Sequence, residues 1–316
     1  MAGVPDTGVT AVVLNVTATR STGDGYVTVW PCGTRRPGVS NLNVAAGGTA
    51  ANLVLAAPGA EGTVCIHASA GLDVLADVIG WLPSNGAYRA ATPRRLVDTR
   101  ATSPVGPTSP LAVPVAGRAG VDDTATAVAV NVTVTRPAAA GFVTVWPCGA
   151  TRPEASNVNF VAGQTIPNAV IAPLGTDGSL CVHSSVEADV LVDVTGWFRP
   201  EAGFTPLTPR RFVDTRATAP LRANTEFPLT IGGRSGVPAD AASVAVNVTV
   251  TRPAAAGYLT VWPCGTARPT TSTLNFAAGQ TVANAVIAPL GEGGRWCAVA
   301  SADTDLLVDI TGWFRG

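Results

Sequence analysis

The chain has 316 residues and a formal net charge of −1, so it offers no basic footprint for nucleic acid or an anionic lipid surface. Charged residues are only 13% and apolar residues 47%, with 34 Gly and 25 Pro, a balance that excludes a disordered chain and provides for a large core. No apolar run reaches the roughly 18 residues a membrane span needs, and Met1 is not followed by a basic and then an apolar segment, so any secretion signal is expected to have been removed or never present.

An internal repeat organises everything else. Trp30, Trp146 and Trp262 share a step of 116 residues, as do Cys32, Cys148 and Cys264, and Trp81, Trp197 and Trp313. The segment VTVWPCG occurs at 27–33, again at 143–149, and as LTVWPCG at 259–265. The predicted organisation is three β cores, residues 1–83, 120–199 and 236–316, joined by connectors at 84–119 and 200–235. A repeat of this kind stacks or closes on itself rather than folding as unrelated domains.

In chain order, the first core opens its strand pattern at Tyr26–Trp30, where Val27 and Val29 face one way and Tyr26, Thr28 and Trp30 the other. The first connector carries TPRRLVDTR at 92–100 and an apolar stretch at Leu111–Val115. Both are expected to be strands packed on a neighbouring core, because connectors this long are rarely structureless. In the second core, Val128, Val130, Val132 and Val134 alternate with Asn131, Thr133 and Thr135, a period of two that defines a strand. Val190, Val192 and Val194 likewise oppose Leu191, Asp193 and Thr195. The second connector repeats the first with TPRRFVDTR at 208–216 and Phe227–Ile231. Pro- and Gly-rich breaks such as RPAAAG, PLGTDG and AGQT separate the strands. The fold class is therefore all-β: three tandem antiparallel β-sandwich-like repeats of about five to seven strands each. Apolar connectors favour closure about a pseudo-threefold axis over beads on a string.

Six cysteines fall two to a core, each pair 33 residues apart: Cys32 with Cys65, Cys148 with Cys181, and Cys264 with Cys297. Only pairing within a copy respects the repeat, so three disulfides staple three small cores. That chemistry belongs to an oxidising compartment and implies export.

Catalytic chemistry finds little support. His67 and His183 are the only histidines, and the third copy has Val299 in their place, so a hydrolytic triad has no repeated base. Asp77, Asp193 and Asp309 recur in the cores, and Asp98 with Arg100 and Asp214 with Arg216 recur in the connectors. These are read as structural carboxylate–arginine or carboxylate–backbone pairs, with the DTR arginines as partners. No zinc ligand set remains once the cysteines are paired, and loops such as 175–178 and 301–305 hold too few acids for calcium. No metal and no cofactor is expected.

Binding chemistry is better represented. Asn15, Asn131 and Asn247, Asn43, Asn159 and Asn275, and Asn52, Asn168 and Asn284 recur in every copy, although asparagine is depleted in strands. Each amide suits a bulge or turn, and each equally suits sugar hydroxyls, which need donors and acceptors. Tyr26 and Trp30, Phe142 and Trp146, and Tyr258 and Trp262 share a strand face, giving each copy a flat aromatic pair for stacking on a sugar ring, or for sealing the core beside the disulfide. Arg20, Arg136 and Arg252, with Arg36, Arg152 and Arg268, suit loop anchoring or an acidic glycan equally.

The motifs Asp214-Thr215-Arg216, Asn247-Val248-Thr249, Pro263-Cys264-Gly265, Leu274–Gln280 and Asp309–Phe314 together resemble tandem repeats found in secreted and cell-wall-associated proteins of actinobacteria. The resemblance implies an extracellular accessory module and brings no catalytic residue set. The leading expectation is a secreted, non-catalytic, lectin-like protein binding a polysaccharide or cell-wall glycan through Tyr26, Trp30, Phe142, Trp146, Tyr258 and Trp262, with Asn43, Asn159 and Asn275 beside them. The second is a stalk, surface-layer or adhesion module contacting other surface proteins. An extracellular glycan-active enzyme is the third.

Overall fold

A computed structural model describes residues 3–200 and 203–316. Residues 1–2 of the first core and 201–202 of the second connector thus lie outside the described residues. Copy 1 contributes β1 (Val9–Thr19), β2 (Gly25–Pro31), β3 (Leu42–Val44), β4 (Ala50–Ala56), β5 (Val64–Ala68) and β6 (Asp73–Pro83). The first connector forms β7 (Tyr88–Asp98) and β8 (Leu111–Pro114). Copy 2 follows with β9 (Ala127–Thr135), β10 (Gly141–Pro147), β11 (Val158–Phe160), β12 (Ile166–Pro173), β13 (Ser179–Ser184) and β14 (Asp189–Phe198). The second connector gives β15 (Phe204–Asp214) and β16 (Phe227–Thr230). Copy 3 closes with β17 (Ala241–Thr251), β18 (Gly257–Pro263), β19 (Leu274–Phe276), β20 (Val282–Pro289), β21 (Arg295–Ala300) and β22 (Asp305–Arg315). The described helices are three short 3-10 turns.

All pairing among the named strands is antiparallel, and the strands form six small sheets. Copy 1 supplies β4-β1-β6 and β3-β2-β5, copy 2 β12-β9-β14-β7 and β11-β10-β13-β8, and copy 3 β20-β17-β22-β15 and β19-β18-β21-β16. The short strands at one end of each sheet gather at the centre, where β4, β12 and β20 touch one another and β12 meets β3. The arrangement is that of a six-bladed propeller, two blades to each copy of the sequence. The expected all-β class and the three disulfides hold. The expected unit of three separate sandwiches is replaced by six sheets around a shared centre.

The physical reason is that the inner sheets are buried on both faces. Val128, Val130, Val132 and Val134 of β9 enter the core between the two sheets of copy 2. Ala127 and Ala129 on the opposite face join Ala11, Val13, Leu53, Leu55, Ile171, Ala245 and Ile287 in a cluster drawn from all three copies. Three phenylalanines, Phe198, Phe204 and Phe314, stack within that cluster, with Phe198 and Phe204 centroids 4.2 Å apart. A sandwich strand keeps one wet face; β9 is buried at eight consecutive positions, as a strand enclosed between layers must be.

The connector strands belong to the copy that follows them. β7 pairs with β14 and β8 with β13, and β15 and β16 repeat this with β22 and β21. Copies 2 and 3 therefore have four-stranded sheets and copy 1 three-stranded ones. The core between the paired sheets reflects it, with 21 buried residues each in copies 2 and 3 and nine in copy 1.

Candidate functional site

The three cystine bridges form as the spacing predicts, Cys32–Cys65, Cys148–Cys181 and Cys264–Cys297, with Cα atoms 4.9, 4.9 and 5.1 Å apart. They tie β2, β10 and β18 to β5, β13 and β21 at one end of the outer sheets. The register sets Trp30, Trp146 and Trp262 directly opposite Cys65, Cys181 and Cys297. Trp146 and Trp262 are only 4% and 5% exposed, and the Trp30 and Trp146 indole N–H groups donate to Thr34 O and Ala150 O. These rings roof the disulfides. The expectation that they stack on a ligand is not compatible with the burial of Trp146 and Trp262, which leaves neither a free ring face. Trp81 is 38% exposed, while Trp197 and Trp313 pack against the cores of copies 2 and 3.

At the other end of the same strands the rings are open. Tyr26, Phe142 and Tyr258 are 37–38% exposed, and each lies directly across from an asparagine of the short neighbouring strand: Tyr26 from Asn43, Phe142 from Asn159, Tyr258 from Asn275. Cross-strand partners on one face have Cβ atoms about 5 Å apart. Two of the expected groups of site residues are thus brought together, three times over. Ser40 donates to Asn43 Oδ1 at 3.0 Å and Asn275 Nδ2 donates to Ser272 Oγ at 3.3 Å, while Asn159 Nδ2 has no partner among the described residues.

Beside the stations of copies 1 and 3, at the meeting point of the central strands, lies a cavity of about 1020 Å³ to which copy 2 contributes residues 163–167. Tyr26, Asn43 and Asn275 line it together with Thr49, Gln164 and Gln280. Gln164 and Gln280 were not singled out from the sequence, although the AGQT turn that carries them recurs at 162–165 and 278–281. The side-chain carboxamides of Gln164 and Gln280 accept from Val161 N and Ala277 N, which fixes their turns. The lining is mostly apolar, with amide and hydroxyl groups from Asn43, Asn275, Gln164, Gln280, Thr49 and Tyr26, and it includes the carboxylate of Asp24, which accepts from Ala46 N.

The remaining asparagines are spent inside the protein. Asn52 Nδ2 donates to Asn131 Oδ1 at 2.8 Å, Asn168 Nδ2 to Asn247 Oδ1 at 2.8 Å, and Asn284 Nδ2 to Asn15 Oδ1 at 3.0 Å. Copy 1 donates to copy 2, copy 2 to copy 3, and copy 3 back to copy 1. Asn15, Asn131 and Asn247 in turn donate to Ser272 O, Ser40 O and Ser156 O. Buried amides bonded from copy to copy hold the three copies in a closed ring.

The repeated charges are structural. Asp193 is 1% exposed and accepts from Arg95 Nε at 2.6 Å and Nη2 at 3.0 Å; Asp309 and Arg211 repeat the pair. The partner is therefore the arginine three residues before each DTR aspartate, because it is the one placed opposite in register. The DTR arginines fold back instead: Arg100 Nε and Arg216 Nε donate to Asp98 and Asp214 at 2.9 and 2.8 Å. That grip holds the Asp98 carboxyl far below its ordinary range and the Asp214 carboxyl at about 2. Burial pushes Asp193, Asp309 and Asp77 upward. Arg20, Arg136 and Arg252 pair with Asp73, Asp189 and Asp305. His183 lies 2.6 Å from Arg152 Nη1, and burial with that cation lowers its pKa. The clustered group Glu226, Cys264 and Cys297 contains a closed disulfide and so offers no thiolate to a metal.

No family model and no curated protein matches the chain. Among solved structures, it is similar at 11% identity and a TM-score of 0.21 to a triple jelly roll protein of an archaeal virus turret assembly, over 99% of this chain and 81% of that one. A structure from Sulfolobus Turreted Icosahedral Virus matches at 10% identity and a TM-score of 0.22, over 96% and 79%. Likeness at that level carries no argument about fold or function.

Proposed function

We propose that this is an exported, non-catalytic, lectin-like protein that binds a neutral polysaccharide or cell-wall glycan through its three aromatic–amide stations, of which Tyr26, Asn43 and Asn275 border the axial cavity. The observation that carries the reading is the threefold recurrence of an open ring directly across from an amide: Tyr26 with Asn43, Phe142 with Asn159, Tyr258 with Asn275. A sugar ring has an apolar face that an aromatic ring covers and hydroxyls that an amide meets with both a donor and an acceptor. Concave sites with few, fixed polar groups are where small polar ligands bind. Three stations on one rigid body raise apparent affinity for a polymer by effective concentration alone. Export agrees with the three disulfides, which persist in oxidising compartments, and no described helix is long and apolar enough to cross a membrane.

The test is retention on insoluble polysaccharides (cellulose, chitin, xylan and peptidoglycan) together with a glycan array. The native protein should be retained by at least one, and the triple variant Tyr26→Ala, Phe142→Ala, Tyr258→Ala should lose about 100-fold or more in apparent affinity. Retention by none of them, or unchanged binding in the triple variant, overturns the proposal.

A further inference from the structure

Copy 1 has an edge that copies 2 and 3 cover. In copies 2 and 3, β7 and β15 lie along β14 and β22, and β8 and β16 along β13 and β21. The corresponding strands of copy 1, β6 and β5, have no such neighbour among the described residues. Val74, Leu75 and Val78 of β6 are 36–49% exposed, whereas their counterparts Val190, Leu191, Val194, Leu306, Leu307 and Ile310 are at most 6% exposed. On β5 the exposed residue is Ile66, whose equivalents Val182 and Ala298 are fully buried. Long, apolar, unpaired edges of this kind are templates for strand addition.

The chemistry of the absent strand is written in the two copies that have it. Asp193 and Asp309 each receive a two-pronged arginine from the added strand; Asp77, at the same position, has no ion-pair partner among the described residues. Thr99 and Thr215 each donate to the aspartate at the start of the neighbouring strand and accept from the backbone N–H that follows it. Asp73 and Val74 stand ready for the same two bonds. Gly80 tells the same story by its own side. A Cβ at Gly196 would strike the Tyr88 hydroxyl and one at Gly312 the Phe204 ring, yet nothing lies within 4 Å of one at Gly80. The space that the Tyr88 and Phe204 rings take in copies 2 and 3 is thus open beside Gly80.

We propose that the outer edges of β5 and β6 form an acceptor site for an extended segment with the chemistry of residues 94–114: a strand Arg-Arg-Leu-Val-Asp-Thr-Arg along β6 and a short apolar strand, as at Leu111–Pro114, along β5. Both segments of that type among the described residues are already paired, along β14 and β22, so the occupant comes from outside them. The incoming segment adds a fourth strand to both sheets of copy 1, by main-chain hydrogen bonds for affinity and by the arginine–Asp77 pair for register.

The probe is a synthetic peptide spanning residues 87–115, added to the full chain. It should bind saturably, raise Tm and slow amide hydrogen exchange in β5 and β6 while leaving β13 and β21 unchanged. A peptide with Arg95→Ala should bind about tenfold more weakly or worse, as should the native peptide to the Asp77→Asn protein, and the two changes combined should cost little more than either alone. Because one of the two changes lies in the peptide, the folding of the protein does not enter that comparison. No binding at about 1 mM peptide, protection elsewhere than β5 and β6, or equal affinity of the Arg95→Ala peptide overturns the proposal.

Discussion

Asn52 of the first copy donates its side-chain amide to Asn131 of the second at 2.8 Å, with both residues almost wholly buried. The same bond recurs from Asn168 to Asn247 and from Asn284 back to Asn15. The acceptors of the donor asparagines are also filled, since Asn52 Oδ1 takes Ala169 N, Asn168 Oδ1 takes Ala285 N and Asn284 Oδ1 takes Leu53 N. Each donor residue therefore makes two bonds to the next copy round the ring and a third to a carbonyl of its own copy, Asn41 O, Asn157 O or Thr273 O.

Removing one link should be costly. Asn168→Ala deletes bonds to Asn157 O and Asn247 Oδ1 and strands the Ala285 N–H. A loss of about 2–4 kcal/mol is expected, because buried polar groups are left without partners. Asn52→Ala and Asn284→Ala should match it. Urea unfolding of the three variants checks this; a loss confined to one of them would mean that the ring does not act as a unit.

The Arg95–Asp193 pair should behave as a buried ion pair. Arg95→Met leaves an aspartate that is 1% exposed without its cation and should cost about 3 kcal/mol. Adding Asp193→Leu should restore much of that. Asp77→Asn, at the equivalent site of copy 1, should change stability by less than about 0.5 kcal/mol. Thermal unfolding of the four proteins separates the two situations.

Acid should destabilise the protein through the DTR aspartates. The folded Asp214 carboxyl sits at about 2 against an ordinary 3.8, chiefly because Arg216 hydrogen-bonds its charged form. Below pH 3.8 the unfolded chain takes up a proton that the folded one refuses, so this contribution is present above 3.8 and lost as pH falls toward 2. Asp193 and Asp309, raised by burial, run the opposite way and act above 3.8, where the folded chain keeps protons that the unfolded one releases. Asp214→Asn should flatten the dependence between pH 4 and 2, read from urea midpoints at each pH.

Each cystine should be worth about 3–4 kcal/mol by the loop-entropy estimate. Cys148→Ala with Cys181→Ala should lower the denaturant midpoint accordingly, with the outer sheet of copy 2 exchanging its amides first. An unchanged midpoint would show that the buried Trp146 packing holds that end without the bridge.

The sequence made the period, the strands and the cystines readable because each rests on local spacing: VTVWPCG repeats every 116 residues and each cysteine has a mate 33 residues on. It could not show which polar face was dry. Asn131 and Thr133 alternate with valines as a solvent face would, yet both are buried, Asn131 against Ser40 and Asn52 of copy 1. Nor could parity separate Phe142 from Trp146. They share a face of β10, but one lies beside the short β11 and stays open while the other sits against Cys181 and under the loop that supplies Ala150 O. The identity of the Asp193 partner was hidden for a related reason. Two bulges in the β7–β14 ladder decide that Arg95 stands opposite it.

The head-to-tail passage of asparagine amides sets a rule on copy number. A duplicate of this unit gains full satisfaction of its polar groups only when the last member hands its amide to the first, so a pair would leave ends dangling and an extra unit would have to prise the circle open. Gene duplication could add modules freely, but geometry would reward it at three.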